Sequence, residues 1–213
     1  MLVVHHLGVS QSERIVWLCE ELGLPYTLKR YDRDPVTRLA PADYKALHPA
    51  GTAPVIEDGA VVMAESGAIV EYIVAKYGRG RRSVSPSDPE FANYLFWLHF
   101  ANASMGASEM SRMVAGFVGA GAEHPAMRFV NDRSARAYAQ VEQRLGQAPY
   151  FAGEELTAAD IMMVFTLTTM RKFSPQDLSG LPNTLAYLQR IGARPAYQRA
   201  MAKGDPGMAP LLT

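Results

Sequence analysis

The sequence predicts an α/β domain over residues 1–78, joined by a linker at 79–87 to an all-helical C-terminal domain over 88–213. Three observations predict it. Up to Tyr77-Gly78, short strand-like apolar runs alternate with apolar residues at helical spacing. Arg79-Gly80-Arg81-Arg82-Ser83-Val84-Ser85-Pro86-Ser87 then interrupts every period with turn-forming and charged residues. From Pro89 onward no strand signal recurs, which assigns the remainder to helices.

Leu2-Val3-Val4 is a β-branched run fit for a buried strand. Ile15, Leu18, Cys19 and Leu22 fall at i, i+3, i+4 and i+7, one helical stripe, which Gly23 closes and Pro25 prevents from resuming. Tyr26 to Tyr31 alternates as a second strand, and a short helix is expected near Asp43–Leu47. Val55-Ile56 and Val61-Val62-Met63, separated by Glu57-Asp58-Gly59-Ala60, read as a hairpin with an Asp-Gly turn. Ile69, Tyr72, Ile73 and Tyr77 give the next helical stripe, ended by Gly78. In the second domain Phe91, Tyr94, Leu95, Leu98 and Met105 mark a long helix, broken up by Gly116, Gly119 and Gly121 before Pro125. Those glycines are not a dinucleotide loop, because no strand precedes them. Further helices are expected at 127–146, 157–173, 182–192 and 195–203. Thr157-Ala158-Ala159-Asp160 is a capping box with Asp in place of Glu, flanked by Leu156 and Ile161 as a hydrophobic staple. Such a cap contributes about 0.5–2 kcal/mol, and Asp160 reads as a folding device.

Hydrophobic residues make up 48% of the chain and charged residues 20%, which suits a soluble protein with a sizeable core. Lysine plus arginine equals aspartate plus glutamate at 21 each, so no basic excess points to nucleic acid or an anionic membrane. No stretch approaches the roughly 18 apolar residues of a membrane span. The N-terminal residues lack the basic and apolar regions of a signal peptide. Cys19 is the single cysteine, so no internal disulfide forms, and a cytoplasmic location is expected. The histidines lack metal-ligand spacing, and no metal is expected. Eleven methionines point to an adaptable interior.

The chemistry concentrates in Ala64-Glu65-Ser66-Gly67-Ala68-Ile69, just downstream of Gly51-Thr52-Ala53-Pro54-Val55. An acid and a hydroxyl open a helix directly after a short strand, beside a turn that carries a proline. That combination suits a small peptide-like ligand with both an amine and a carboxylate.

Four segments in order carry a resemblance across essentially the whole chain: Ser10-Gln11-Ser12-Glu13-Arg14, His48-Pro49-Ala50-Gly51-Thr52-Ala53-Pro54-Val55, Glu65-Ser66-Gly67-Ala68-Ile69, and Leu156-Thr157-Ala158-Ala159-Asp160. With their spacing they resemble the cytosolic glutathione transferase family, and His5-His6-Leu7 with Gly23-Leu24-Pro25-Tyr26 is similar to its serine-type bacterial and fungal members. The resemblance implies a thioredoxin-like N-terminal domain carrying a glutathione site, a helical C-terminal domain and a homodimer. Glutathione is then the co-substrate and a small hydrophobic electrophile its partner in a conjugation reaction. The alternatives are a glutathione-dependent disulfide or peroxide reductase, or a non-catalytic carrier of glutathione or an apolar ligand.

Residue by residue, the γ-glutamyl carboxylate of glutathione would sit on Ser66 at the mouth of helix 66–77, where free amides and the helix dipole favour an anion. Glu65 would take the ammonium group. The resemblance implies a cis peptide between Ala53 and Pro54, which turns the Ala53 main chain toward the ligand's cysteinyl backbone. Thr52 departs from the family, many of whose members carry lysine or glutamine there for the glycine carboxylate; His48, Lys45 and Arg38 are the candidates to replace it. A free thiol has a pKa of about 8.5, and a hydroxyl donating to the thiolate favours the charged form. Ser10 is the expected donor, with Ser12 the alternative; Ser10 with Glu13 also forms a capping-box pattern. His5 and His6 read as strand-packing residues, and Cys19 as core. Phe100, Met105, Met110 and Met113 are candidates for an apolar second-substrate cleft, with the glycines from 116 to 121 as a movable lid.

Overall fold

Strand β1 (Leu2–Leu7) lies at the centre of the first structural unit. Strand β2 (Tyr26–Tyr31) pairs with it in parallel, after a crossover through helix α1 (Glu13–Leu22). On its other side β3 (Val55–Asp58) pairs antiparallel, followed by β4 (Val61–Ala64), giving the order β2-β1-β3-β4. Gly59 at φ +63° opens the two-residue connection between β3 and β4, where a side chain would be strained. These features come from a computed structural model, which describes residues 1–121 and 123–213.

Register decides which side chains share a face. Val4 stands opposite Ile56, and Ile56 opposite Met63; His5 stands opposite Val55, and Val55 opposite Ala64. Because strand side chains alternate, the consecutive His5 and His6 point to opposite faces of the sheet. On the His5 face, Tyr44 of the short helix α2 (Ala42–Lys45) is buried in a cluster with Leu7, Val55 and Ala64, against which Tyr31, Leu47 and Ala53 pack. Helix α1 ends at Gly23, φ +63°, whose amide returns to Glu20 O, the left-handed cap expected from the sequence. Helix α3 (Ser66–Tyr77) contacts α1, β3 and β4.

The unit that contains the sheet comprises Met1–Ser83 and Ile191–Pro210. Helix α9 (Pro195–Gly204), which a boundary at 79–87 would give to the helical domain, therefore belongs with the sheet. Complementary chemistry explains it. Tyr197 meets Trp17 edge-to-face at 5.2 Å. Arg194 grips Glu21 at 2.6 and 2.8 Å, while Arg199 and Lys203 reach Glu20 at 2.9 and 2.5 Å. The acidic pair on α1 is thus matched by a basic row that sequence periodicity alone does not connect to it.

The second unit, Val84–Arg190 with Leu211–Thr213, is helical. Helix α4 (Phe91–Phe100) runs without interruption through a π-helical segment, Ala101–Gly106, into α5 (Ala107–Phe117). The expected break comes only at the end, where Gly119 adopts φ +70°, and Gly116 lies inside α5. A Cβ on Gly106 would stand 2.7 Å from Ala101 O, so the wide turn needs glycine there. Helix α6 (Pro125–Leu145) starts with Pro125 at its first position and His124 Nδ1 accepting from Ala126 N at 3.2 Å. Helix α7 (Ala158–Leu167) opens on the capping box read from the sequence. It stops short of residue 173: Thr168 Oγ1 donates back to Val164 O at 2.7 Å, and a 3-10 turn, Thr169–Lys172, follows. Helix α8 (Pro182–Gly192) supplies Tyr187, whose ring packs on Phe151 at 5.2 Å. Phe100 and Met105 are buried in this unit, which makes them core; Met113 is half-buried and Met110 exposed.

Candidate functional site

Topology brings three segments to one end of the sheet. The C-terminal end of β1 leads into Gly8–Ser12, the residues before β3 carry the 51–54 turn, and the end of β4 leads into Glu65 and Ser66. Since β1 and β4 both run antiparallel to β3, these three loops emerge together.

The turn holds the one cis peptide among the described residues, Ala53–Pro54. Pro54 is buried, Ala53 half-buried and Thr52 exposed. Of the three candidates to compensate for Thr52, Lys45 is exposed and its Cγ lies 4.0 Å from where a Cβ on Gly51 would stand. His48 spends Nδ1 on Ala50 N at 3.1 Å, shaping the turn. Arg38 is exposed, and its carbonyl accepts from Arg33 Nη1 at 2.9 Å.

Glu65 is exposed and sits at φ 72°, ψ 110°, immediately before α3, without a side-chain hydrogen bond to cap it. A non-glycine residue held at positive φ costs of order 1–3 kcal/mol and marks a place where position outranks comfort. Ser66 is the first residue of α3 rather than its cap, and it is buried. Its hydroxyl accepts from Arg14 Nη1 at 3.0 Å and donates to Gln11 Oε1 at 3.2 Å; Arg14 also donates to Gln11 at 2.7 Å. Burial pushes the Arg14 guanidinium down to about 9, with Glu13 opposing, which leaves it charged at neutral pH. Two N-termini, a buried cation and an exposed carboxylate thus meet at one place. Sequence reasoning passed over Gln11 and Arg14. The available signal was an arginine four residues before Leu18, on the edge of an otherwise apolar stripe.

Ser10 and Ser12 are both buried. The Ser10 hydroxyl donates to Leu7 O at 2.7 Å, lies 2.8 Å from Ser12 Oγ and accepts from Ser12 N at 3.2 Å. It therefore takes the amide of Ser12 rather than that of Glu13, whose N–H bonds the Ser10 carbonyl at 3.1 Å. The capping-box geometry read for Ser10 is not adopted, because Ser12 and Leu7 engage its hydroxyl first. Ser12 Oγ lies 2.9 Å from His6 Nδ1. The intervening Val9 sits at φ 52°, unusual for a β-branched residue, with its amide on Asp205 Oδ1 at 2.8 Å. Arg33 ties the same loop down through Gly8 O at 2.9 Å and Val9 O at 3.1 Å. Burial drives the Cys19 thiol up to about 12, with Glu20 adding to it, which makes it inert. Among the described residues no group of three or more His, Cys, Asp or Glu is placed to hold a metal ion, and no helix is long and apolar enough to cross a membrane.

Comparison with known proteins identifies relatives of this fold. The glutathione S-transferase N-terminal domain matches residues 10–76, and the C-terminal domain of the same enzymes matches 112–195. Glutathione S-transferase 3 of Schizosaccharomyces pombe is 33% identical, over all of this chain and 92% of its own. The crystal structure of a glutathione S-transferase from Actinobacillus pleuropneumoniae superposes with a TM-score of 0.88 at 35% identity, covering 96% of this chain and 93% of that one. A theta-class glutathione S-transferase from Xanthomonas axonopodis pv. citri, solved with glutathione bound, is 27% identical with a TM-score of 0.74 over 100% of this chain and 99% of its own. With its thioredoxin-like sheet unit, its helical unit and these relatives, the chain belongs to the cytosolic glutathione S-transferase family.

Proposed function

We propose that this chain conjugates the glutathione thiolate to small hydrophobic electrophiles, acting as a homodimer in the cytoplasm. The γ-glutamyl carboxylate binds at the N-terminus of α3, on the Ser66 amide and hydroxyl, with Arg14 behind that hydroxyl adding positive charge. The ammonium pairs with Glu65, and the cysteinyl backbone pairs with the main chain of Ala53 beside cis Pro54. Thr52 offers the glycine carboxylate one hydroxyl and no charge, so Lys45 supplies the cation. Ser10 stands at the sulfur, where a thiol of pKa about 8.5 must become an anion.

The observation that carries this reading is Glu65, an exposed carboxylate held at positive φ against the mouth of a helix. At such a terminus an anion of the protein's own needs no strain to be favourable; holding the carboxylate there suits a zwitterionic ligand. The test is calorimetric titration with glutathione, followed by turnover of a chlorodinitrobenzene-type electrophile. Binding with turnover is expected. Binding without turnover across a panel of electrophiles would make the chain a carrier, and no binding at millimolar glutathione would end the reading.

A further inference from the structure

Behind Ser10 lies a file of polar contacts, hydrogen-bonded from Ser10 through Ser12 to His6 and ended by the Asp205 carboxylate beside the His6 ring. Ser10 Oγ is 2.8 Å from Ser12 Oγ, which is 2.9 Å from His6 Nδ1, and His6 Nε2 is 3.2 Å from Asp205 Oδ2. Ser12 and His6 are fully buried, and the two ends of the file, Ser10 and Asp205, are 5% and 3% exposed. The fold also makes room for the ring: a Cβ on Gly204 would stand 3.2 Å from His6 Cε1 and Nε2.

The direction of the file follows from its buried end. Burial pushes the Asp205 carboxyl up, but the bonds from His6 and the Val9 amide, with Arg30 nearby, outweigh that and hold it below the usual carboxylate range. Asp205 is therefore ionised, and its carboxylate 3.2 Å from His6 Nε2 favours the tautomer with the hydrogen on that nitrogen. In the neutral imidazole Nδ1 is then the acceptor and takes the Ser12 hydroxyl hydrogen. Ser12 Oγ has lone pairs for Leu7 N, at 3.1 Å, and for Ser10. The Ser10 hydrogen consequently points inward, to Leu7 O or Ser12 Oγ, and its remaining lone pair faces out. The charged groups around this file are Asp205, Arg30 on the neighbouring strand β2, and Arg33, whose guanidinium donates to the Gly8 and Val9 carbonyls.

We infer that His6 is the proton acceptor for the bound glutathione thiol, reached through Ser10 and Ser12, with Asp205 as the positioning residue that fixes its tautomer. The inference rests on the glutathione reading above. The thiol S–H breaks and its proton passes to Ser10 Oγ; the Ser10 hydrogen passes to Ser12 Oγ and the Ser12 hydrogen to His6 Nδ1. Thiol plus imidazole becomes thiolate plus imidazolium, with no proton lost to solvent. Ser10 then holds the former thiol proton and donates it to the sulfur anion. When the sulfur lone pair forms the S–C bond and the leaving group departs with its bonding pair, the proton on Nδ1 returns to solvent by the same hydroxyls. Ser12 does not act as a hydrolase nucleophile, because it has no exposed surface.

The experiment is glutathione binding to the full chain at neutral pH. Thiolate is read from its ultraviolet absorption, and proton release from calorimetry in two buffers of different ionisation enthalpy. The wild type is expected to form thiolate while releasing clearly less than one proton for each. His6→Gln keeps a donor toward Asp205 but has no basic nitrogen; its bound thiolate at that pH is expected to fall about tenfold, one unit of thiol pKa. Ser12→Ala breaks the file without touching the His6–Asp205 contact and is expected to show the same loss, so it decides the matter if His6→Gln does not fold. A merely structural role for His6 would move melting temperature without moving the proton count. One proton released per thiolate, or full thiolate in Ser12→Ala, overturns the relay and leaves the glutathione site standing. Absence of glutathione binding by the wild type overturns both.

Discussion

Arg14 Nη1 stands 3.0 Å from Ser66 Oγ, joining the first turn of α1 to the first residue of α3 across 52 positions of sequence. Gln11 completes the triangle at 2.7 Å from Arg14 and 3.2 Å from Ser66. The guanidinium thereby fixes which way the Ser66 hydroxyl faces and adds charge behind it. A lysine keeps the charge but not the planar fork, so Arg14→Lys is expected to raise the glutathione Kd about three- to tenfold, on the order of 1 kcal/mol. Calorimetric titration checks it, and an unchanged Kd would remove Arg14 from the frame of the site.

The backbone of Glu65 makes a second expectation unusually sharp. Glycine adopts φ 72° without steric cost, so Glu65→Gly is expected to leave the melting temperature unchanged or raise it, despite the loss of a side chain. The same substitution removes the partner of the ligand's ammonium group, and the glutathione Kd is expected to rise tenfold or more, about 1.4 kcal/mol. A variant that binds glutathione normally would show that the strained residue serves the fold alone.

At the other end of the tripeptide, Thr52 is exposed and uncharged while Lys45 lies beside Gly51. Lys45→Ala is expected to weaken glutathione binding about threefold at low salt and to flatten its salt dependence, because an exposed pair is screened within a Debye length of about 10 Å at 0.1 M salt. Thr52→Lys is expected to tighten it by a similar factor. Titrations at two ionic strengths read both variants, and equal salt slopes for wild type and Lys45→Ala would send the glycine carboxylate elsewhere.

Local physics was legible in the sequence wherever one segment sufficed. The stripe Ile15-Leu18-Cys19-Leu22, the left-handed Gly23, the Gly59 turn and the box Thr157–Asp160 each follow from spacing and side-chain chemistry, and each is present. Relationships spanning the chain were not legible. The seating of Arg194, Arg199 and Lys203 on Glu20 and Glu21 links segments more than 170 residues apart, and no period announces it. His6 reads from the sequence as a strand-packing residue, and its contacts with Ser12, six residues ahead, and Asp205, near the end of the chain, are brought together only by the fold. At the site, Glu65, Ser66 and Pro54 stood out because acid, hydroxyl and proline mark local backbone events. Gln11 and Arg14 act through a contact with another helix, which the sequence of α1 does not display.

Asp160 gives an expectation whose sign separates two physical effects. Its carboxylate receives Thr157 N at 2.8 Å, Thr157 Oγ1 at 3.2 Å, Phe151 N at 3.1 Å and Tyr187 OH at 3.1 Å, all of which favour the ionised form. Burial opposes them and wins, pushing the carboxyl from 3.8 up to about 6. A raised folded-state value means that the folded chain holds a proton that the unfolded chain has released between those two pH values. Stability from this group is then full below about pH 4 and is lost as pH rises through 6, on the order of 3 kcal/mol at 1.36 kcal/mol per unit. Asp160→Asn cannot ionise, and its single acceptor oxygen serves only part of the donor set, so it is expected to unfold more easily than wild type in acid. From pH 4 to pH 7 the gap between the two is expected to narrow, as measured by urea midpoints at constant m-value. A gap that widens instead would mean that the four donors prevail over burial and that the ionised carboxylate holds the helical unit together.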